Sequence, residues 1–171
     1  IIRNLRAFAR QEIEPITDVD LVGVIDAVLE MSEARARGAG VDVVWDRPAA
    51  PVLARGGEVR LQQVVLNLVA NALDAMADAP VRRLEIGLTR REGAVEVTVR
   101  DSGPGIAEPD RIFDPFYSTK EVGQSEGMGL GLSISYGLVQ GFGGAIRGRT
   151  HPDGGAIFTI TLAAPAVGVA A

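Results

Sequence analysis

The chain reads as an α+β fold with its helices gathered on one face of a sheet, and three observations predict it. A long stretch from about Glu58 to Ala77 carries Leu61, Val64, Val65, Leu68, Ala72, Ala75 and Met76 at helical spacing. The runs "LEIGLTR" and "VEVTVR" alternate apolar and polar residues and are joined through "EG", the pattern of a strand hairpin. Helices come first, then strands, then a helix, then strands again, an order that argues for α+β.

Taken in order, residues 1–14 form a helix with Ile2, Leu5, Ala9 and Ile13 near one face, ended by Pro15. It has no N-cap and reads as the tail of a longer helix. "TDVDL" offers Thr17 or Asp18 as the N-cap of the next helix. Leu21, Val24, Ile25, Val28 and Leu29 follow on one face, and Gly38 ends it. "VDVVW" and "PVLA" are short strands around the breaker "RPAAP". After the long helix and the hairpin, residues 101–128 are irregular and rich in Gly, Pro, Ser and acids. A connection of that length in a compact domain is usually functional. A helix from about Gly129 to Gly141 comes next. "GAIRGRT" and "AIFTITL" then form a second hairpin, turned at "HPDGG", before a frayed tail. There is no internal repeat.

Composition narrows the function. The 171 residues suit one domain with a short appendage, and 47% hydrophobic residues suffice for a core. No apolar run approaches the roughly 18–20 residues of a membrane span, and the N-terminus has no secretory signal pattern. The absence of cysteine excludes disulfides and thiolate metal sites and fits a reducing compartment. A net charge of −5 with no basic block argues against nucleic acid as a partner. Lys120 is the only lysine and His151 the only histidine, so a mechanism needing either has one candidate.

Four stretches carry chemistry. On the long helix, Asn67, Asn71, Asp74 and Asp78 form a polar stripe behind the apolar one. It is either a solvated face or a ligand-facing one, and amide oxygens are hard ligands suited to Mg²⁺. In "VRDSGPGI", Asp101 at a strand end is either an ordinary turn residue or an acceptor for an amino group such as that of adenine. Gly103 and Gly105 would let a flat ring approach the backbone. In "IFDPFYSTK", Phe113 and Phe116 would pin a polar loop to the core, and Lys120 is either a surface lysine or a phosphate partner. Finally, "GMGLGL" precedes a helix whose N-terminal N–H groups can converge on an anion. That stretch is neither a Walker A loop nor the dinucleotide fingerprint.

In this order and spacing the four stretches resemble the N, G1, F and G2 boxes of the catalytic, ATP-binding domain of bacterial sensor histidine kinases. That domain belongs to the ATPase group that also holds Hsp90, gyrase B and MutL. The resemblance runs from about residue 18 to 163. "NALDAM", "FYSTK" and "GLGLSISYGLV" are most similar to kinases of the nitrogen- and dicarboxylate-sensing type.

The resemblance implies a two-layer α/β sandwich: a mixed sheet of about five strands with three helices on one face (the Bergerat fold). The ATP-binding domain would span 17–165, after the end of a dimerisation helix at 1–16 and before a tail at 166–171. ATP and Mg²⁺ are the implied cofactors. Asn67 and Asn71 would be metal ligands, Asn71 the more direct. Asn67 and Lys120 would serve catalysis, with Lys120 near the γ-phosphate. Asp101 would receive the adenine amino group over Gly103 and Gly105, beside Ile106. Phe113 and Phe116 would anchor a lid. Gly127, Gly129 and Gly131, with Leu130 and Leu132, would wrap the phosphates. Asp74 stands where many members have Lys or Arg; it would hold a Mg²⁺-bound water or point away. Met128 replaces a common Thr or Ser.

Hsp90-like relatives carry a Glu where this chain has Asn67, and an amide cannot take a proton from water. The resemblance therefore implies a protein histidine kinase ahead of a hydrolysing ATPase or an anti-sigma-type serine kinase, with a silent binding module disfavoured. The acceptor histidine would lie on a dimerisation domain outside this chain, because His151 sits in a hairpin turn. Implied partners are that domain of the parent kinase and a response regulator. The chain would be monomeric or weakly dimeric and cytoplasmic, and the full-length parent a homodimer attached to the inner membrane.

Overall fold

The computed structural model describes residues 14–117 and 130–166. The expected helix at 1–14 and the expected phosphate-loop glycines before residue 130 lie outside this range, apart from Glu14. Seven strands and three helices occur among the described residues, in the order β1 (Thr17–Asp20), α1 (Leu21–Gly38), β2 (Asp42–Trp45), β3 (Leu53–Gly56), α2 (Glu58–Ala75), β4 (Arg83–Arg91), β5 (Ala94–Asp101), α3 (Gly131–Gly141), β6 (Ala145–Thr150) and β7 (Ala156–Ala163).

Five strands form one mixed sheet in the order β2-β4-β5-β7-β6. β2 runs parallel to β4 and the other pairs are antiparallel. Alternation decides which side is covered. Val95, Val97 and Val99 of β5 are buried, as are Phe158, Ile160 and Leu162 of β7, while the residues between them are only partly buried. The helices lie on the buried side, as the sequence predicts. Each fully buried side chain of this size removes roughly 1.5–3 kcal/mol worth of apolar surface from water.

α2 is the central helix. Its core face includes Leu61, Val64, Val65, Leu68, Ala72 and Met76, as the periodicity predicts, but also Val69 and Leu73. Ala75 is only partly buried. The wider apolar face follows from its neighbours, because α2 contacts α1, α3 and the sheet together.

Two starts differ from expectation. Thr17 and Asp18 do not cap α1; they belong to β1, which pairs antiparallel with β3 away from the main sheet. Asp20 is the cap, its Oδ1 accepting from Val22 N at 3.0 Å and from Val52 N at 3.2 Å. At α2 the N-cap is Gly57, which has no side chain to offer. Glu14 replaces it from a distance: Oε1 accepts from Val59 N at 2.9 Å and Oε2 from Arg60 N at 3.2 Å. A carboxylate there satisfies orphan donors and complements the helix dipole. Among the described residues, no helix is long and apolar enough to cross a membrane.

Candidate functional site

The site lies where the C-terminal end of β5, the polar stripe of α2 and the N-terminus of α3 come together. Period-two alternation builds its first part. Asp101 continues the inward series of Val95, Val97 and Val99, so a carboxylate occupies a core position and is only 4% exposed. Backbone donors support it: Oδ1 accepts from Gly103 N at 2.8 Å and Ala156 N at 3.2 Å. Burial raises the Asp101 pKa above the ordinary carboxylate value, against the opposing pull of those two N–H groups and of Arg100. Oδ2 makes no hydrogen bond to a described residue, yet no sealed side-chain polar atom among them lacks a partner. Oδ2 is therefore open to the site, an acceptor held ready for a donor.

The glycines around Asp101 make room for backbone. A Cβ on Gly103 would come within 2.8 Å of the Ala75 carbonyl oxygen at the end of α2. Gly105 has φ +86, and a Cβ there would meet the Thr150 side chain at 2.8 Å. Packing against protein thus already requires both glycines, beyond the adenine floor expected of them. Ile106 follows, its N–H donating to Thr150 Oγ1 at 2.9 Å while that hydroxyl donates to the Ile106 carbonyl at 3.1 Å. Sequence reasoning missed Thr150, which is 44 residues away, and Gly155, which lies under Asp101. No local signal marks Thr150; two adjacent glycines in "HPDGG" were the available hint of Gly155.

The second part is the polar stripe. Asn67 donates its amide to Ser135 Oγ at 3.2 Å and to the Gly131 carbonyl at 3.4 Å. Ser135 is fully buried, so the amide ties α2 to the first turns of α3. The amide oxygens of Asn67 and Asn71 make no hydrogen bonds to described residues. Asp74 is ion-paired with Arg35 of α1, and the structure turns at least one of its oxygens toward that helix.

α3 starts at Gly131, two residues later than predicted, with Leu130 as an N-cap that offers no side-chain hydrogen bond. No acidic residue occupies its first turn. Its leading N–H groups sit beside Asn67, whose Cγ lies 4.0 Å from the point a Gly131 Cβ would occupy. Leu132 packs partly buried on the core. Lys120, Gly127, Met128 and Gly129 lie outside the described residues.

The segment before residue 118 corrects one expectation. Phe113 packs on the core, its ring 5.3 Å from that of Tyr136. Phe116 does not pack on the described core: it is 73% exposed at φ +65. Successive turns close from Arg111 N to the Glu108 carbonyl, Asp114 N to Arg111 and Tyr117 N to Asp114. They carry Phe116 outward and Tyr117 inward. Ile112, Phe113 and Tyr117 are the anchors, and Arg111 stacks 4.9 Å over the Tyr117 ring. His151 is a turn residue as expected, its Nδ1 accepting from Asp153 N at 3.1 Å.

Among the described residues no three His, Asp or Glu side chains cluster as a metal site. The donors on offer to a cation are amide oxygens, which suits an ion completed by phosphate oxygens and water.

Comparison with known proteins bears on the family and the fold. Residues 56–166 match the family described as histidine kinase-, DNA gyrase B- and HSP90-like ATPase. The chain is 38% identical over its whole length to the C4-dicarboxylate transport sensor protein DctB of Pseudomonas aeruginosa, and 32% identical to DctS of Rhodobacter capsulatus. It spans only 28% and 26% of those proteins' lengths. Among solved structures, the catalytic domain of histidine kinase ThkA superposes with a TM-score of 0.74 at 27% identity, covering 87% of this chain and 95% of that one. Full-length ShkA in complex with AMPPNP gives 0.73 at 31% identity, covering 97% of this chain and 36% of that one.

Proposed function

The chain belongs to the histidine kinase-, DNA gyrase B- and HSP90-like ATPase family, and on that premise we propose that it is the ATP-binding catalytic unit of a two-component sensor histidine kinase. Its likeness to the C4-dicarboxylate sensors DctB and DctS and to the ThkA catalytic domain supports the kinase branch of the family. ShkA with AMPPNP supports an adenine nucleotide as the ligand.

The observation that carries the reading is Asn67. Its amide lies against the first turn of α3, held by the Gly131 carbonyl and Ser135 Oγ, where the Leu130 cap offers no side-chain hydrogen bond. In the Hsp90-like branch a glutamate at this place activates water. An amide has no comparable basicity, so this site holds ATP for another nucleophile. The adenine amino group donates to Asp101 Oδ2, and the phosphates lie toward the N-terminus of α3 and the glycines before it. The oxygens of Asn71 and Asn67 would hold Mg²⁺, which when bound would offset the phosphate charge. Lys120, which lies outside the described residues, would be the partner of the γ-phosphate by the family resemblance.

The nucleophile is a histidine imidazole on a dimerisation domain outside this chain. Its nitrogen bonds to the γ-phosphorus as the bond to the bridging oxygen breaks, and ADP leaves. The phosphoryl group then passes to a response regulator. The parent protein is a homodimer anchored at the inner membrane, with this unit on the cytoplasmic side.

The test mixes the chain, Mg-ATP and a separately prepared dimerisation domain. Acid-labile phosphate on that domain is the expected result. Steady ATP hydrolysis by the chain alone, with no labelled acceptor, would place it with the hydrolysing ATPases. Acid-stable phosphate on a serine of a protein substrate would make it a serine kinase.

A further inference from the structure

The five-stranded sheet ends on β6, which pairs with β7 on one side only. The phase of that pairing is fixed just past the strand, where His151 N donates to the Gly155 carbonyl at 2.8 Å. Hydrogen-bonded pairs alternate along an antiparallel ladder, so Arg149 and Arg147 turn their N–H and C=O groups to β7. Ile146, Gly148 and Thr150 turn theirs outward, where they make no hydrogen bond to a described residue. The core closes the inner face of the strand. Ile146 is buried, and a Cβ on Gly148 would meet Ile112 at 2.6 Å and Phe158 at 2.7 Å. The row of outward backbone groups is therefore held in place before any partner arrives.

The side chains of Arg147 and Arg149 share the other, helix-free face of the sheet, about 7 Å apart along the strand. Both are exposed, and neither makes a hydrogen bond or ion pair with a described residue. Each of the other described arginines has a partner. β7 offers no carboxylate: Thr159 stands opposite Arg147 and Ile157 opposite Arg149. Beyond them on β5 come Thr98 and Arg100, the latter paired with Glu85 at 3.4 Å. Asp153, in the following turn, lies 3.7 Å from His151. Two uncompensated positive charges thus stand beside an open row of backbone donors and acceptors, on a chain whose net charge is −5.

We propose that β6 is a docking edge for an extended acidic segment of a partner protein, which adds to the sheet as one more strand. Its backbone pairs with Ile146, Gly148 and Thr150. Carboxylates at alternate positions fall on the helix-free face, each beside one arginine, because both strands share a period of two. The same charges disfavour a second copy of the chain. Two β6 edges paired antiparallel through their outward groups set arginine against arginine, which is destabilising.

The test is an NMR titration of the chain at low salt with a blocked peptide in which threonine and glutamate alternate over the length of β6. The amide resonances of Ile146, Gly148 and Thr150 are expected to shift saturably. Arg147→Gln and Arg149→Gln should each weaken binding about threefold, the scale of an exposed ion pair. A peptide with lysine in place of glutamate should bind about tenfold more weakly, since both arginines then lose their partners. Full N-methylation of the glutamate peptide keeps every charge but removes every backbone donor, and should abolish the response. The double variant Arg147→Glu, Arg149→Glu should prefer the lysine peptide; the peptide comparisons on the unaltered chain decide the matter if that variant does not fold. The proposal is overturned by no saturable shift on β6, by equal binding of the lysine peptide, by undiminished binding of the N-methylated peptide, or by indifference to both glutamine variants. A β6 response only to phosphatidylglycerol vesicles or to single-stranded DNA would make the arginines a phosphate-binding patch, and self-association through β6 would make the edge an interface between copies; either result also overturns it.

Discussion

Gly155 lies so close under Asp101 that a Cβ on the glycine would come within 1.8 Å of the aspartate's carbonyl oxygen. Its φ of +80 is also one that side chains other than glycine's rarely accept. Gly155→Ala is therefore expected to move the β6–β7 turn off Asp101 and to cost more than the roughly 1–2 kcal/mol of a left-handed backbone alone. Gly143→Ala is the control, since φ is +71 there but no atom lies within 4 Å of the added carbon. Equal thermal destabilisation of the two variants would show that the contact with Asp101 is unimportant.

Asp101→Asn keeps an oxygen for the Gly103 and Ala156 N–H groups but removes the charge. Adenine nucleotide binding should weaken by about 1–3 kcal/mol, the scale of a lost hydrogen bond to a charged group. A fluorescent ATP analogue measures it. Unchanged affinity would remove Asp101 from the adenine site.

The same substitution has an opposite effect on the fold. Burial raises the Asp101 pKa in the folded state, so the unfolded chain releases this proton first as pH rises. Stability from Asp101 is then greatest with the group protonated and falls as pH climbs from the unfolded value through the raised folded one. At neutral pH Asp101→Asn should melt at least as high as the parent. That advantage should shrink on acidification below the ordinary carboxylate range. Calorimetric melting at several pH values checks the sign; a growing advantage in acid would contradict it.

Asn71→Ala removes an amide oxygen with no partner among the described residues, so folding should change little, within about 0.5 kcal/mol. The Mg²⁺-dependent part of nucleotide binding should be lost. Titrations with and without EDTA measure this, and an equal EDTA effect on variant and parent would take Asn71 out of the metal site.

Phe116→Ala should leave the melting temperature nearly unchanged, because the ring is 73% exposed. Phe113→Ala should cost about 1–3 kcal/mol, less than a fully buried Phe, as its ring packs on the core and on Tyr136. Denaturant unfolding of the two variants separates them; equal losses would mean that Phe116 is an anchor after all.

The sequence by itself determined the elements and the chemical types at the site. Helical spacing put Leu61, Val64, Val65 and Leu68 on one face of α2 and left Asn67 and Asn71 on another. Alternation along β5 already pointed Asp101 the same way as Val95, Val97 and Val99. These patterns are legible because helix and strand periods are set within a few bonds of backbone. Only the tertiary structure decided who meets whom. It brought Ala156 N to Asp101 across 55 residues and Glu14 to the N-terminus of α2 across 45. It also paired Asp74 with Arg35 and turned Tyr117 inward in place of Phe116. Those contacts depend on the path of the whole chain around its core, and no local period encodes that path.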